Sequence, residues 1–320
     1  MINQRELCVA RAPTRIDLGG GWTDVPPYCE REGGFVCNVA ITRYATARLL
    51  DAGGHAHDAA VRDPLVRAVF HHAAVSGVHA TLDNDFPLGA GLGGSSAASA
   101  ALFGAIAAWK GEPWDRSAIA EAGRRVEVET LGIAGGRQDH YAATHGGALA
   151  LTFGSSTQVR SIPITADVRS RLAERSVLIY TGQSRISGDT ITSVLGAYER
   201  GEVRVLDALR RMRALAESMA AALESGNLDA IGALVGEHWA HQRSLHPSIP
   251  TERIDEIVSR SLRAGALGAK AMGASGGGCV LIMCPDGRTD AVRDAVASLG
   301  DLMDFAVDEA GLTILAESPA

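Results

Sequence analysis

Pro87-Leu-Gly-Ala-Gly-Leu-Gly-Gly-Ser-Ser-Ala-Ala98 opens without a break into residues 97–109, a run that is apolar nearly all round. A helix apolar on every face is a buried one, and Lys110-Gly111-Glu112-Pro113 supplies its stop. Gly89, Gly91, Gly93 and Gly94 let the preceding loop turn with positive φ and bring its backbone close to a ligand. The first-turn amides of the helix face that loop unpaired and carry the positive end of the helix dipole, which favours an anion. Ser95 and Ser96 add hydroxyls able to meet a phosphate oxygen or a metal ion. Taken alone, the segment is either an anion site or a glycine-rich helix cap without a ligand.

Two familiar nucleotide loops are excluded by context. Gly89-x-Gly91-x-x-Gly94 formally matches the dinucleotide fingerprint, but Asp83-Asn84-Asp85-Phe86-Pro87 is not an apolar strand and no strand ending in an acid follows the helix. The phosphate loop of the Walker type requires a terminal Gly-Lys-Ser/Thr, which is missing here.

Around this segment the chain has an ordinary soluble composition. Its 320 residues suggest about two domains, and a chain of this size buries a core without disulfides. The net charge of −7 argues against nucleic acid as the partner, so attraction for an anionic ligand has to come from local amides, a metal and a few placed cations. Five cysteines without a C-x-x-C pair suggest buried reduced thiols. The first residues lack a signal-peptide core, and the longest apolar run is too short for a bilayer; the expectation is a cytoplasmic protein without a membrane partner.

Residues 7–10, 35–41 and 44–50 read as short strands. A helix is expected over about 115–131, capped by Asp115 or Ser117, then a strand over 148–153. Beyond about residue 165 a strand is expected at 176–180. Val205, Leu209, Met212, Leu215 and Met219 recur at helical steps. Further helices near 228–243, 254–262 and 290–299 and strands at 279–284 and 312–316 complete an α/β pattern, divided as 1–165 and 166–320.

Two more glycine clusters flank the first. Arg11-Ala-Pro-Thr-Arg-Ile-Asp-Leu-Gly-Gly-Gly-Trp-Thr-Asp24 looks like a strand feeding a ligand-facing loop, and Lys270-Ala-Met-Gly-Ala-Ser-Gly-Gly-Gly-Cys279 precedes a buried strand. The three segments, in this order, resemble the GHMP kinase superfamily of galacto-, homoserine, mevalonate and phosphomevalonate kinases. The resemblance implies a ribosomal-protein-like N-terminal domain with a left-handed βαβ crossover, a ferredoxin-like C-terminal domain, and an active site between them that uses ATP and Mg²⁺. Gly19-Gly-Gly-Trp-Thr-Asp-Val-Pro-Pro-Tyr28 is similar to the D-glycero-D-manno-heptose 7-phosphate kinases and fucokinase domains, Gly136-Arg-Gln-Asp-His-Tyr-Ala-Ala143 resembles the heptose kinases more than the others, and Leu245-His-Pro-Ser leans toward fucokinase.

The resemblance also carries site residues. It implies that Asp139 is the base for the sugar hydroxyl and Arg15 the catalytic cation. It makes Gly89, Gly91, Leu92, Gly93, Gly94, Ser95, Ser96, Gly276 and Gly277 the ATP-binding set. Ser95 and Glu127 become metal ligands, with Glu129 adjacent; Asp24, Trp22, Gly21 and Arg185 become sugar-binding residues. Without it, Asp139 is a helix cap, Arg15 a surface ion pair and Glu127 a solvated helix face. The implied activity is phosphorylation of the anomeric hydroxyl of an aldose, with D-glycero-D-manno-heptose 7-phosphate placed before an unphosphorylated sugar such as L-fucose. A non-catalytic sugar and nucleotide sensor is the alternative from another class, and a homodimer is left open.

Overall fold

The computed structural model describes residues 6–51, 63–183 and 188–317. Its strands are β1 (Glu6–Gly19), β2 (Gly34–Asp51), β3 (Val78–Asn84), β4 (Ala148–Phe153), β5 (Thr157–Ser161), β6 (Ser176–Tyr180), β7 (Gly268–Ala271), β8 (Cys279–Met283), β9 (Asp301–Met303) and β10 (Thr313–Glu317). The helices are α1 (Tyr28–Arg31), α2 (Pro64–His72), α3 (Gly94–Lys110), α4 (Arg116–Arg125), α5 (Gln138–His145) and α6 (Ala166–Glu174). They continue with α7 (Gly188–Glu199), α8 (Val203–Glu224), α9 (Leu228–Ser244), α10 (Glu252–Arg263) and α11 (Thr289–Val296).

The first sheet runs β10-β1-β2-β4-β5, with β3 also paired to β2. The two strands expected at 35–41 and 44–50 are one continuous strand. β2 is long because it serves two neighbours: 34–39 pair with β4 and 45–51 with β3, while β1 pairs along both parts. The break suggested by Thr42 and Arg43 is absorbed by a register shift opposite Pro13 and Thr14. β3 was not expected, since Val78-His-Ala-Thr-Leu-Asp-Asn84 is half polar; it is antiparallel to β2, so the glycine loop after it still does not belong to a parallel dinucleotide unit.

The second sheet runs β7-β8-β6-β9, every pair antiparallel. Numbering these strands in chain order gives 2-3-1-4, with α7 to α10 after the first strand and α11 between the third and fourth. That is the βαββαβ ferredoxin-like pattern. The fold is thus the mixed two-domain α/β class. The chain ends by returning, since β10 pairs with β1. We keep 1–165 and 166–320 as the proposed division, with one strand lent across it.

α3 behaves as its sequence dictates. Its residues from Ser96 to Ile106 are buried, and its many alanines let it lie close on β1 and β2. α4 begins at the expected cap, Asp115, whose side chain accepts from the Ala118 N–H. All five cysteines are buried. Among the described residues, no helix is long and apolar enough to cross a membrane.

Candidate active site

The glycine loop lies between β3 and α3, where it meets the end of β1, the start of α5 and the turn between β7 and β8. A cavity of about 470 Å³ opens between these segments. The loop is strapped from both sheets: the Arg15 N–H donates to the Leu92 carbonyl at 3.0 Å, and the Cys279 N–H donates to the Ala90 carbonyl at 2.8 Å. Gly91 has a φ of 74°, and a Cβ there would stand 2.8 Å from the Met272 carbonyl oxygen, so the close approach of the two halves needs glycine. Gly93 caps α3 in the left-handed region and no side chain caps the helix, leaving first-turn amides for a ligand.

Gly89, Gly91, Leu92, Gly93, Gly94, Ser95, Ser96 and Gly277 line the cavity. Gly276 does not; its N–H donates to the Ile249 carbonyl at 2.9 Å and so braces the turn.

Arg15 leaves β1 buried and forks. Its Nε donates to Asp139 Oδ1 at 2.7 Å, its Nη2 stands 2.6 Å from the same oxygen, and its Nη1 donates to the Gly91 carbonyl at 2.7 Å. One guanidinium thus fixes both the phosphate loop and the Asp139 carboxylate, which sits in the first turn of α5 with its side chain 29% exposed, facing the cavity. A paired but accessible carboxylate has the geometry of a proton acceptor.

Ser95 donates to Glu127 Oε1 at 2.8 Å, and His140 Nε2 stands 3.1 Å from Glu127 Oε2. Glu127 lies in a π-helical turn, Val126–Thr130, that continues α4. Burial pushes the Glu127 carboxyl up, but the adjacent His140 imidazole and the Ser95 hydroxyl outweigh it and hold the group below the usual carboxylate range. Glu129 is exposed and does not line the cavity. The Ser95 hydroxyl and the Glu127 carboxylate both line the cavity beside the phosphate loop and are hard oxygen donors of the kind Mg²⁺ takes, so the chemistry of this pair suits such an ion.

Asp24 is buried at the other end of the cavity. Its Oδ2 accepts from the Arg137 N–H at 2.8 Å and the Gln138 N–H at 3.0 Å, and Oδ1 takes neither bond. Burial pushes this carboxyl up to about 6 against the Gln138 amide, with the Asp139 charge adding to the rise. A Cβ on Gly136 would fall 1.9 Å from Asp24 Oδ2, so only glycine admits the carboxylate there. Gly21 and Trp22 also line the cavity. Trp22 has a φ of 82° and packs into the second core with Tyr28 and Tyr198. Arg185 lies outside the described residues.

Sequence reasoning missed four buried polar residues. Lys270 Nζ donates to Asp17 Oδ2 and to the Asp17 carbonyl, each at 2.8 Å. Burial acts against the Asp17 charge, and the Lys270 ammonium outweighs it, holding the carboxyl below its usual range. His238 Nε2 accepts from the Gly20 N–H at 2.9 Å, and burial pulls its imidazole well below its usual range. His140 is the fourth. A lone lysine inside Gly-Ala-Lys-Ala-Met was the available signal for Lys270; the histidines carried none, because their partners are distant in sequence.

Comparison with known proteins identifies the family and the fold. The signature of the GHMP kinases N-terminal domain matches residues 59–147, and that of the GHMP kinases C-terminal domain matches residues 219–302. The chain is similar to the D-glycero-alpha-D-manno-heptose 7-phosphate kinase of Campylobacter jejuni, 25% identical over 94% of this chain and 97% of that one. A galactokinase of Mycobacterium bovis is 31% identical over 69% of this chain and 68% of its own length. A solved D-glycero-D-manno-heptose 1-phosphate kinase from Bacteroides thetaiotaomicron shares the fold with a TM-score of 0.79 and 22% identity, covering 98% of this chain and 100% of that one.

Proposed function

The chain belongs to the GHMP kinase family, and we propose that it moves the γ-phosphoryl group of Mg-ATP to the anomeric hydroxyl of D-glycero-D-manno-heptose 7-phosphate. As a sugar kinase of that family it is a phosphotransferase with an alcohol acceptor. The observation that carries the mechanism is the Arg15–Asp139 pair, set against the phosphate loop by the Gly91 bond.

Phosphoryl transfer needs positioning and charge neutralisation more than covalent chemistry. In this reading the nucleotide phosphates sit on the free amides at the start of α3. A magnesium ion held by Ser95 and Glu127 would neutralise their charge. Asp24 accepts hydroxyl hydrogens from the sugar through Oδ1, and the acceptor hydroxyl lies against Asp139. A sugar hydroxyl is a weak nucleophile at neutral pH, so the carboxylate takes its proton as the bond to the γ-phosphorus forms and the bond from that phosphorus to the bridging oxygen breaks, releasing ADP. Arg15 orients the Asp139 carboxylate and offsets charge beside the transferring group. Similarity to the Campylobacter jejuni enzyme over nearly the whole chain supports the choice of sugar.

One observation favours an unphosphorylated sugar such as L-fucose as a second reading. Among the described residues lining the cavity, Arg15 is the one Lys or Arg, and it is already paired with Asp139. Incubation with ATP, Mg²⁺ and a panel of free and terminally phosphorylated sugars decides between them, with ³¹P NMR locating the new phosphate. Turnover of the heptose 7-phosphate alone supports the first reading, turnover of free sugars alone the second. A product phosphorylated away from the anomeric carbon sinks both.

A further inference from the structure

Lys270 belongs to β7 of the second sheet, and its ammonium is wholly buried against Asp17 at the end of β1. Asp17 lies two residues beyond Arg15 and just before the turn from Gly19 to Asp24. The bond therefore ties the turn facing the acceptor end of the cavity to the opposite sheet. His238 on α9 holds the next point of the same turn through the Gly20 N–H. Gly21 rests on the Asp17 carboxylate so closely that a Cβ would stand 2.4 Å from Oδ2. From the other side, the Arg137 and Gln138 amides of the α5 entry hold Asp24. Replacing a buried ion pair with well-packed neutral residues is often neutral or stabilising, so stability alone is a weak reason for this one.

We propose that the Asp17–Lys270 pair, with His238, is a positioning device for the sugar, setting the Gly19–Asp24 turn over Asp139 from the second sheet. The inference rests on the sugar-kinase reading for its assignment of that turn to the acceptor. Among the described residues the hydrogen bonds of this device reach neither the phosphate loop nor the Ser95–Glu127 pair, so its loss should fall first on the acceptor side.

The test compares Lys270→Met, which strands a buried carboxylate, with Asp17→Asn/Lys270→Met, which removes both charges and protects folding. With D-glycero-D-manno-heptose 7-phosphate as the varied substrate, the double variant should keep a native melting temperature. Its sugar KM should rise about tenfold or more while the ATP KM stays within about threefold. A purely structural pair predicts instead that the double variant recovers the wild-type sugar KM, or that both KM values and kcat move together; either result overturns the proposal. Hydrogen exchange needs no substrate: amides in 19–24 should lose protection in the double variant while those in 89–96 keep theirs. Unchanged exchange in 19–24 overturns the proposal whatever the sugar. Failure of the wild-type protein to phosphorylate any sugar sinks the kinase reading instead, and leaves the exchange result to decide this one.

Discussion

Two glycines bracket α3 in the same left-handed conformation, Gly93 at its start with φ 75° and Gly111 just past its end with φ 66°. Alanine at either position meets the same backbone strain, about 1–2 kcal/mol. Their surroundings differ. A Cβ on Gly111 meets nothing within 4 Å, whereas one on Gly93 stands 3.1 Å from Asp139 Cβ and Cγ and 3.2 Å from Oδ2. A contact that tight makes the neighbour give by a few tenths of an ångström. Asp139 cannot give freely, since Arg15 grips its Oδ1 at 2.7 and 2.6 Å. Gly111→Ala should therefore lose about 1–2 kcal/mol of stability and keep its turnover. Gly93→Ala should lose a similar amount of stability, and its kcat should fall about 10²-fold, the scale of a small misplacement at a reacting centre. Thermal melting reads the shared strain, and ADP release at saturating ATP and sugar reads the divergence. Equal kcat in the two variants would refute Asp139 as the acceptor base, because the three atoms nearest the added Cβ all belong to that side chain.

Other outcomes follow from the same geometry. Asp139→Asn should lower turnover by about 10²–10⁴-fold, while ADP affinity measured by calorimetry stays close to wild type; Arg15→Ala should lower turnover by as much and also weaken ADP binding, because it releases the Gly91 carbonyl of the phosphate loop. His140→Ala should raise the Mg²⁺ concentration for half-maximal activity by about 10–100-fold, the usual cost of losing an outer-shell partner; Mn²⁺ binding followed by EPR should weaken alongside it, and His140→Gln should be milder. Asp24, pushed up to about 6, is ionised only above that pH, so kcat/KM for the sugar should climb through about pH 6. The matching stability contribution has the opposite sign. It is present below the ordinary 3.8 and lost as pH rises through about 6, because the folded state holds a proton that the unfolded chain has released. Urea unfolding between pH 4 and 7 should show this slope shrinking in Asp24→Asn. Trp22→Ala empties a site in the second core and should cost about 3–5 kcal/mol, read by the same unfolding curves.

The sequence alone determined the parts whose physics is local. The all-apolar run after the glycine loop made α3 a buried helix, and the loop composition marked its N-terminus as a candidate anion site. Helical steps from Val205 to Met219 fall inside α8, and the helix expected near 228–243 is α9. Local patterns failed where one element serves several neighbours. β2 reads as two strands because its two halves answer to different partners, and β3 hides because an edge strand needs little apolar surface.

Tertiary structure decided the pairings across long separations. Arg15 meets Asp139 over 124 positions, Asp17 meets Lys270 over 253, and Gly20 meets His238 over 218. No spacing rule connects such residues, because the sheet order and the close approach of the two halves at Gly91 and Met272 bring them together. An arginine on a strand and a lysine in an apolar run carry no partner in their own neighbourhood. Burial in a shared low-dielectric site is what makes each take one.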